Sequence, residues 1–190
     1  LAAVHYWYMR DYWLDSVQVV NGAVTGNSPV FFRYVDWILT VPLMCVEFYL
    51  ILKAAGATTK LLWRMITLST IMLVTGYLGE AVYRGQAQIW GLVSGLAYFV
   101  IVYDIWMGEA KKLAVAAGGA VESAHNMLAK FVLIGWAIYP LGYMVGTGEG
   151  QWYSFLAGAA EMDVIYNIGD AINKIGFGLV VYNLAVNSSK

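Results

Sequence analysis

Long apolar stretches constrain this chain more than any other feature of its sequence. Crossing the ~30 Å hydrocarbon layer of a bilayer as a helix requires about 20 mostly apolar residues. Five stretches meet this requirement, at 31–53, 62–83, 87–107, 128–147 and 162–187. They are too long for membrane strands and lack the alternation of apolar and polar residues that strands need. The sequence therefore predicts an all-α protein that crosses a membrane several times.

Composition excludes the other broad classes of protein. Hydrophobic residues make up 61% of the 190 residues and charged residues 12%, against roughly 25% charged in soluble domains. The apolar content is also far too high for a disordered chain. A single cysteine rules out a disulfide framework or a cysteine metal cluster, and we expect no metal. The net charge of −1 gives no reason to expect a nucleic-acid partner.

The beginning of the chain is apolar, like the end of a helix. Residues 1–14 resemble the last part of a sixth span, and Leu1 is not an initiator methionine. We therefore expect about six spans here and at least one earlier helix in the natural protein. No linker or internal repeat is evident, so residues 1–190 are predicted to form one transmembrane domain. The connections between spans are expected at 15–30, 54–61, 108–127 and 148–161.

Positive charges predict the orientation, because cytoplasmic loops of membrane proteins are enriched in Lys and Arg. Seven fall on the side of the second and third connections: Lys53, Lys60, Arg64, Lys111, Lys112, Lys130 and Lys190. Three fall on the opposite side: Arg10, Arg33 and Arg84. This asymmetry predicts that the C-terminus is cytoplasmic and that the 31–53 helix runs from outside to inside.

The last span carries two charges where charges are costly. Lys174 lies at the centre of 162–187, and Asp170 lies one helical turn before it on the same face. An intramembrane charge costs about 2.5–3.5 kcal/mol on insertion scales, so it is a functional hypothesis by default. One interpretation is an ion pair that neutralises two buried charges. The other is a Schiff-base lysine, since a desolvated amine reacts readily with carbonyl compounds.

The 31–53 helix carries a matching polar stripe. Asp36 and Thr40 are one turn apart, and Glu47 follows Asp36 by eleven residues, a rise of about 16 Å on nearly the same face. Two carboxylates on either side of a central amine are the arrangement that vectorial proton transfer requires. Glu47 alone could also be a structural, hydrogen-bonded carboxylic acid.

Three runs of sequence carry a resemblance to a known family. They are RYVDWILTVPLMCVEFYLIL (33–52), GWAIYPLGY (135–143) and IYNIGDAINKIGFG (165–178). The chain resembles the microbial (type 1) rhodopsins, and more narrowly the light-driven proton pumps of the proteorhodopsin and xanthorhodopsin-like groups. The resemblance covers nearly the whole chain. It implies a seven-helix rhodopsin bundle of which this sequence supplies helices B to G, with helix A absent.

The resemblance implies a role for each intramembrane charge. Lys174 would bind all-trans retinal as a protonated Schiff base. Asp36 would be the main counterion and proton acceptor, Asp170 the second counterion, and Glu47 the cytoplasmic proton donor. The implied function is an outward light-driven proton pump, which is a transporter and not an enzyme.

Three further residues receive supporting roles from the same resemblance. Thr40 would form a hydrogen bond near Asp36, and Arg33 would stabilise the carboxylates from the outer side. His5 matches the second-helix histidine that pairs with the acceptor aspartate in proteorhodopsins. Without the family, a lone histidine in a membrane helix would be a packing or helix-contact residue.

The resemblance also implies a chromophore pocket. Five residues match positions that enclose the polyene: Trp37, Trp136, Tyr139, Pro140 and Tyr166. Taken without the family, the aromatic residues would be ordinary core or interface residues. Met44 matches the position that tunes colour, and an apolar residue there resembles the green-absorbing group. Blue-absorbing members carry glutamine instead.

Gly91 suggests a second chromophore. In xanthorhodopsin-like pumps, a glycine at the matching position of the fifth helix admits a carotenoid antenna. The alternative is close helix packing, for which glycine is frequent in membranes.

The segment between His5 and Arg33 departs from typical proteorhodopsins by its length. The extra residues, VQVVNGAVTG, predict a small extracellular hairpin. The resemblance further implies a multi-pass protein of the bacterial inner membrane that forms a homo-oligomer, a pentamer or hexamer.

Rival functions stay open at the level of sequence. A sensory rhodopsin would share the pigment but generally lacks a carboxylate donor such as Glu47. Sodium and chloride pumps of the family replace the Asp–Thr–Glu set. A chromophore-free proton channel or transporter could use the same carboxylates. A conventional enzyme is not expected, because no nucleophile–base arrangement or metal-ligand cluster is evident.

Overall fold

The computed structural model describes residues 1–159 and 161–188, so Lys190 lies outside the described residues. The α-helices are α1 (Ala2–Asp15), α2 (Val30–Lys53), α3 (Thr59–Tyr77), α4 (Ala87–Trp106), α5 (Glu109–Ala117), α6 (Gly119–Lys130), α7 (Ile138–Thr147) and α8 (Met162–Ser188). Two π-helical turns extend this set: Leu78–Val82 continues α3, and Phe131–Gly135 joins α6 to α7. Short 3₁₀ turns lie at Arg84–Gln86 and Ser154–Leu156.

The predicted all-α membrane architecture is confirmed. Among residues 1–159 and 161–188, five helical segments are long and apolar enough to cross a bilayer: Val30–Lys53, Thr59–Val82, Arg84–Ala117, Gly119–Thr147 and Met162–Asn187. Each contains or closely matches one predicted span. Helix α1, with 14 residues, packs beside α2 as the partial sixth span.

The connection predicted at 108–127 is wrong, because most of these residues are helical. Helices α5 and α6 continue the neighbouring spans and meet at Gly118 and Gly119, whose φ angles of 63° and 49° suit glycine. These segments are amphipathic, so a search for apolar runs ends at their first charges although the helices continue. At this end of the bundle, Arg64 of α3 donates hydrogen bonds to Asp104 of α4 (2.6 Å) and Glu109 of α5 (3.1 Å).

The predicted hairpin between α1 and α2 is confirmed. Strands β1 (Gln18–Val20) and β2 (Ala23–Thr25) pair antiparallel. Asn21 and Gly22 form the turn with φ angles of 52° and 81°, the positive values that a two-residue type I′ turn requires.

The apolar core fills the inner half of the bundle, which we define as the half containing the end of α2 at Lys53. Its fully buried members include Phe48, Leu52, Leu61, Ile101, Leu128, Val132 and Phe177. The polar site described next lies on the other side of this core. The core therefore separates that site from the inner end of the bundle.

Candidate functional site

Lys174 lies between the two carboxylates that the sequence singles out. Its Nζ donates hydrogen bonds to Asp36 Oδ2 and, at 2.9 Å, to Asp170 Oδ2. Asp36 is completely buried and Asp170 is 2% exposed. Buried charges are tolerated when they are paired and hydrogen-bonded. The amine of α8 and the two acids thus form one compact cluster between α2 and α8.

Asp170 is held by donors from three other helices. The hydroxyls of Tyr6 and Tyr139 each donate to it at 2.7 Å, and Trp37 Nε1 donates at 3.0 Å. Tyr139 and Trp37 were predicted only as pocket walls, and Tyr6 was not predicted at all. Tyr6 could have been selected from the sequence, because it is a polar aromatic residue next to His5 in a membrane helix.

Asp36 has a different environment. His5 Nδ1 lies 3.0 Å from Asp36 Oδ1, so the longer hairpin segment still allows this pair to form. The Thr40 hydroxyl donates to the backbone carbonyl of Asp36 at 2.9 Å. Thr40 therefore bonds the backbone at Asp36 and not the carboxylate itself.

Arg33 is directed further outward than expected. Its guanidinium donates to Asn167 Oδ1 at 2.9 Å and to Asp163 Oδ1 at 3.1 Å, and it lies 5.2 Å from the centre of the Tyr166 ring. Among the described residues it has no direct bond to Asp36 or Asp170. It is 2% exposed, so it influences the cluster through its charge one helical turn away.

Glu47 lies on α2 in the inner half of the bundle and is half-buried. No described residue forms a hydrogen bond with its carboxylate. A structural carboxylic acid would be expected to have such a partner when buried. The geometry thus gives Glu47 no static bonding role.

A cavity of about 580 Å³ opens onto Lys174, within the range of about 300–1,000 Å³ typical of small-molecule sites. Its lining contains all the predicted wall residues: Trp37, Met44, Trp136, Tyr139, Pro140 and Tyr166. Apolar and aromatic side chains dominate it, and Lys174 is the amine among the described lining residues. An elongated apolar aldehyde such as retinal fits both the walls and the reactive end of this cavity.

Gly91 lines the same cavity on α4. A Cβ at this position would lie 2.8 Å from Cε1 of the Tyr143 ring, closer than real contacts allow. One turn further, a Cβ at Gly95 would meet nothing within 4 Å. Gly91 therefore allows close packing against Tyr143, whereas Gly95 leaves open space.

Glu80 is a buried carboxylate that sequence reasoning missed. It is 1% exposed, and Tyr34 donates to its Oε2 at 2.8 Å. Its Oε1 has no partner among the described residues. The signal was present, since Glu80 is a charge within the predicted 62–83 span. The rule that a charge inside a membrane span indicates a functional residue selects Glu80 as well as Asp36.

Comparison with known proteins gives a consistent picture. A sequence profile described as "Bacteriorhodopsin-like protein" matches residues 1–188. The green-light absorbing proteorhodopsin of Gamma-proteobacterium EBAC31A08 is 42% identical over 192 residues, covering 100% of this chain and 71% of that protein. The blue-light absorbing proteorhodopsin of Gamma-proteobacterium Hot 75m4 is 40% identical over 195 residues, with coverage of 100% and 70%.

Solved structures agree with the sequence relatives. The crystal structure of xanthorhodopsin, described as a light-driven ion pump with dual chromophore, superposes with a TM-score of 0.77 at 27% identity. The match covers 99% of this chain and 76% of xanthorhodopsin.

Proposed function

The chain belongs to the bacteriorhodopsin-like family, and from this premise we propose that it is an outward light-driven proton pump. The observation that carries the proposal is the position of Lys174 Nζ, held between two buried carboxylates at the end of an apolar cavity. Membership of this family implies retinal as the chromophore, and the similar structure of xanthorhodopsin is that of a light-driven ion pump. The direction of transport and the roles of single residues are our proposals.

Retinal bound to Lys174 as a protonated Schiff base would supply light absorption and a light-induced change in proton affinity at Nζ. The chain's residues then decide where the proton goes. Asp36 accepts it from Nζ, since the two groups are already in direct contact. His5 lies on the other oxygen of the same carboxylate and stabilises its charge before the transfer.

The two carboxylates are unequal, which favours Asp36 as acceptor. Asp170 receives hydrogen bonds from Tyr6, Trp37 and Tyr139, and these donors would lose an ionic partner if it became neutral. Charge-assisted hydrogen bonds are roughly twice as strong as neutral ones. Protonation of Asp36 weakens fewer charge-assisted hydrogen bonds than protonation of Asp170 would. Asp170 therefore stays ionised as the second counterion.

Return of a proton to Nζ falls to Glu47. It lies on the same helix as Asp36 but on the inner side of Lys174, and among the described residues it has no bonding partner that would hold its proton in place. Release on one side of Lys174 and resupply from the other makes the transport directional. Arg33, with its charge on the outer side, opposes the return of protons from that side.

The experiment that tests this function compares the wild-type protein with Glu47→Gln. A glutamine cannot donate a proton, so reprotonation of Lys174 Nζ after a flash should slow by about a hundredfold, the usual contribution of a positioned acid. Steady light-driven transport in vesicles should fall accordingly, with the visible band unchanged. Azide, a small diffusible acid, should restore the rate.

A matched control is Glu149→Gln, which removes an exposed carboxylate on the outer side. It should leave both rates unchanged. A slow wild-type cycle that Glu47→Gln does not alter would favour the rival function of a photosensor that signals through a partner.

We propose green absorption because Met44 presents an apolar side chain to the cavity. We also propose a pentameric or hexameric ring in the bacterial inner membrane, with the C-terminus cytoplasmic. Exposed aromatic residues on α1, such as Trp7 and Tyr8, support contact between that helix and a neighbour. The excess of Lys and Arg at the inner end supports the orientation.

A carotenoid antenna is a second proposal for the same cavity. Gly91 lines the cavity on α4, and apolar side chains of the same helix such as Leu92 and Phe99 are exposed. After reconstitution with a hydroxylated carotenoid, the excitation spectrum of retinal emission should contain the carotenoid bands. Gly91→Phe should remove these bands; because its side chain must displace the Tyr143 ring, the retinal band of the same variant is recorded as the control for an intact pocket. Absence of the carotenoid bands in the wild-type protein would refute the antenna.

A further inference from the structure

The helix that carries Trp136 is widened immediately before that residue. Residues Phe131–Gly135 form a π-helical turn, in which Trp136 N bonds to Phe131 O at 3.0 Å. Such turns are rare and interrupt the regular ladder of a helix, so they are natural bending points. The π-helical turn separates α6, at the inner end, from α7, which forms a wall of the cavity.

Asn173 on α8 occupies this wide turn. Its Nδ2 donates to Gly135 O at 3.0 Å and to Gly169 O of its own helix at 2.9 Å. It is 1% exposed. A Cβ at position 135 would overlap Asn173 Oδ1, so only glycine allows the amide to reach the turn. We call this pairing the 135/173 contact.

A second close contact with α8 lies at the start of the π-helical turn. The ring of Phe131 lies against Gly176 of α8, where a Cβ would overlap it. Residues 173 and 176 flank Lys174 closely along α8. The π-helical turn therefore contacts α8 at residues on both sides of Lys174, whose amine takes part in the proton transfers.

Few hydrogen bonds hold the Asn173 amide in the 135/173 contact. Asn173 Oδ1 is buried and has no hydrogen-bond partner among the described residues, although buried amide oxygens are normally paired. The amide is thus held through its donor side, with only a long 3.5 Å approach to the Tyr139 hydroxyl in addition. Loss of the bond to Gly135 would free the turn on this side.

Proton resupply requires such a release. Three fully buried apolar side chains, Leu128, Val132 and Phe177, belong to the core at the inner side of Lys174. These side chains offer no polar group to carry a proton, so resupply of Nζ from the inner side in the proposed pump requires that they separate. The wide turn is the bending point at which this movement costs least.

We propose that Asn173 is a positioning residue that holds the turn at 131–135 closed and limits the rate of proton resupply to Lys174. The inference rests on the proposed pump function. The step breaks one hydrogen bond, from Asn173 Nδ2 to Gly135 O, and forms it again at the end of the cycle.

The test uses Asn173→Ala and Asn173→Leu, because leucine fills similar space without donating a bond. In the dark, amide hydrogen exchange at residues 131–136 should accelerate about fivefold in both variants, the usual equivalent of one hydrogen bond. It should do so in pigmented and pigment-free protein alike. Reprotonation of Nζ after a flash should accelerate by a similar factor.

Two controls separate this role from packing. Asn183→Ala removes an exposed amide on the same helix and should change nothing. Gly135→Ala should be disruptive in the wild-type background and tolerated together with Asn173→Ala, because the obstructing oxygen is then gone. Exchange rates are compared with those of α4, so that a general loosening cancels.

Wild-type behaviour of Asn173→Leu in both exchange and reprotonation would overturn the proposal and leave only a packing role. If the wild-type protein shows no reprotonation phase, the proposed pump function fails. Hydrogen exchange still tests the contact in that case.

Discussion

Replacing Lys174 by alanine or arginine is expected to abolish the visible absorption band of the retinal-supplied protein and all light-driven transport. Lys174 is the amine among the described residues of the cavity lining, and a guanidinium does not form a Schiff base under these conditions. Arginine keeps the positive charge between Asp36 and Asp170, so the cluster is not left with two unpaired buried acids. The measurement is a visible spectrum of purified protein after addition of all-trans retinal.

Lys130→Ala is the matched control, because Lys130 is an exposed lysine at the end of α6. Its spectrum and transport should equal those of the wild-type protein. An unchanged visible band in Lys174→Arg would refute the assignment of the attachment site. Absence of any band in the wild-type protein would favour a chromophore-free proton channel or transporter.

Asp36→Asn is expected to reduce light-driven transport to background while the pigment still forms. The proposed acceptor in direct contact with Nζ is lost, and the remaining carboxylate, Asp170, is kept ionised by its hydrogen-bond donors. Removing a negative charge next to the protonated nitrogen also destabilises the ground state more than the excited state, and the visible band should shift to longer wavelength. Transport in vesicles and the visible spectrum of the same preparation measure both effects.

Acid should act on the wild-type protein in the same direction. Protonation of Asp36 in the dark removes the counterion and the acceptor together, so the band should move towards that of Asp36→Asn and transport should fade. Asp11→Asn is the control, since the Asp11 side chain is 47% exposed and, within the part of the chain that the structure describes, its ion-pair partner is Arg10. Full transport by Asp36→Asn would contradict the role of acceptor.

Much of the fold could be predicted because a membrane imposes simple rules. Runs of about 20 apolar residues identified the spanning segments, and the cost of intramembrane charge drew attention to Asp36, Asp170 and Lys174. Helical periodicity alone put Asp36 and Glu47 on one stripe. The hairpin after α1 followed from a turn sequence, Asn21-Gly22, with strong local preference.

Other features depend on how the helices pack, and apolar patterning does not contain that information. The outward direction of Arg33 follows from Asp163 and Asn167, which belong to a helix more than one hundred residues away along the chain. The wide turn at 131–135 becomes intelligible only when Asn173 is seen against Gly135. Helices α5 and α6 were missed for a different reason, since their polar faces end an apolar run without ending the helix.

The central claim is that light moves protons outward through Lys174 and Asp36. The most direct measurement is the pH of a weakly buffered suspension of cells that contain the pigmented protein, recorded during illumination. We predict acidification of the medium that reverses in the dark and disappears on addition of a protonophore. Alkalinisation, or a constant pH in a visibly pigmented sample, would contradict the account.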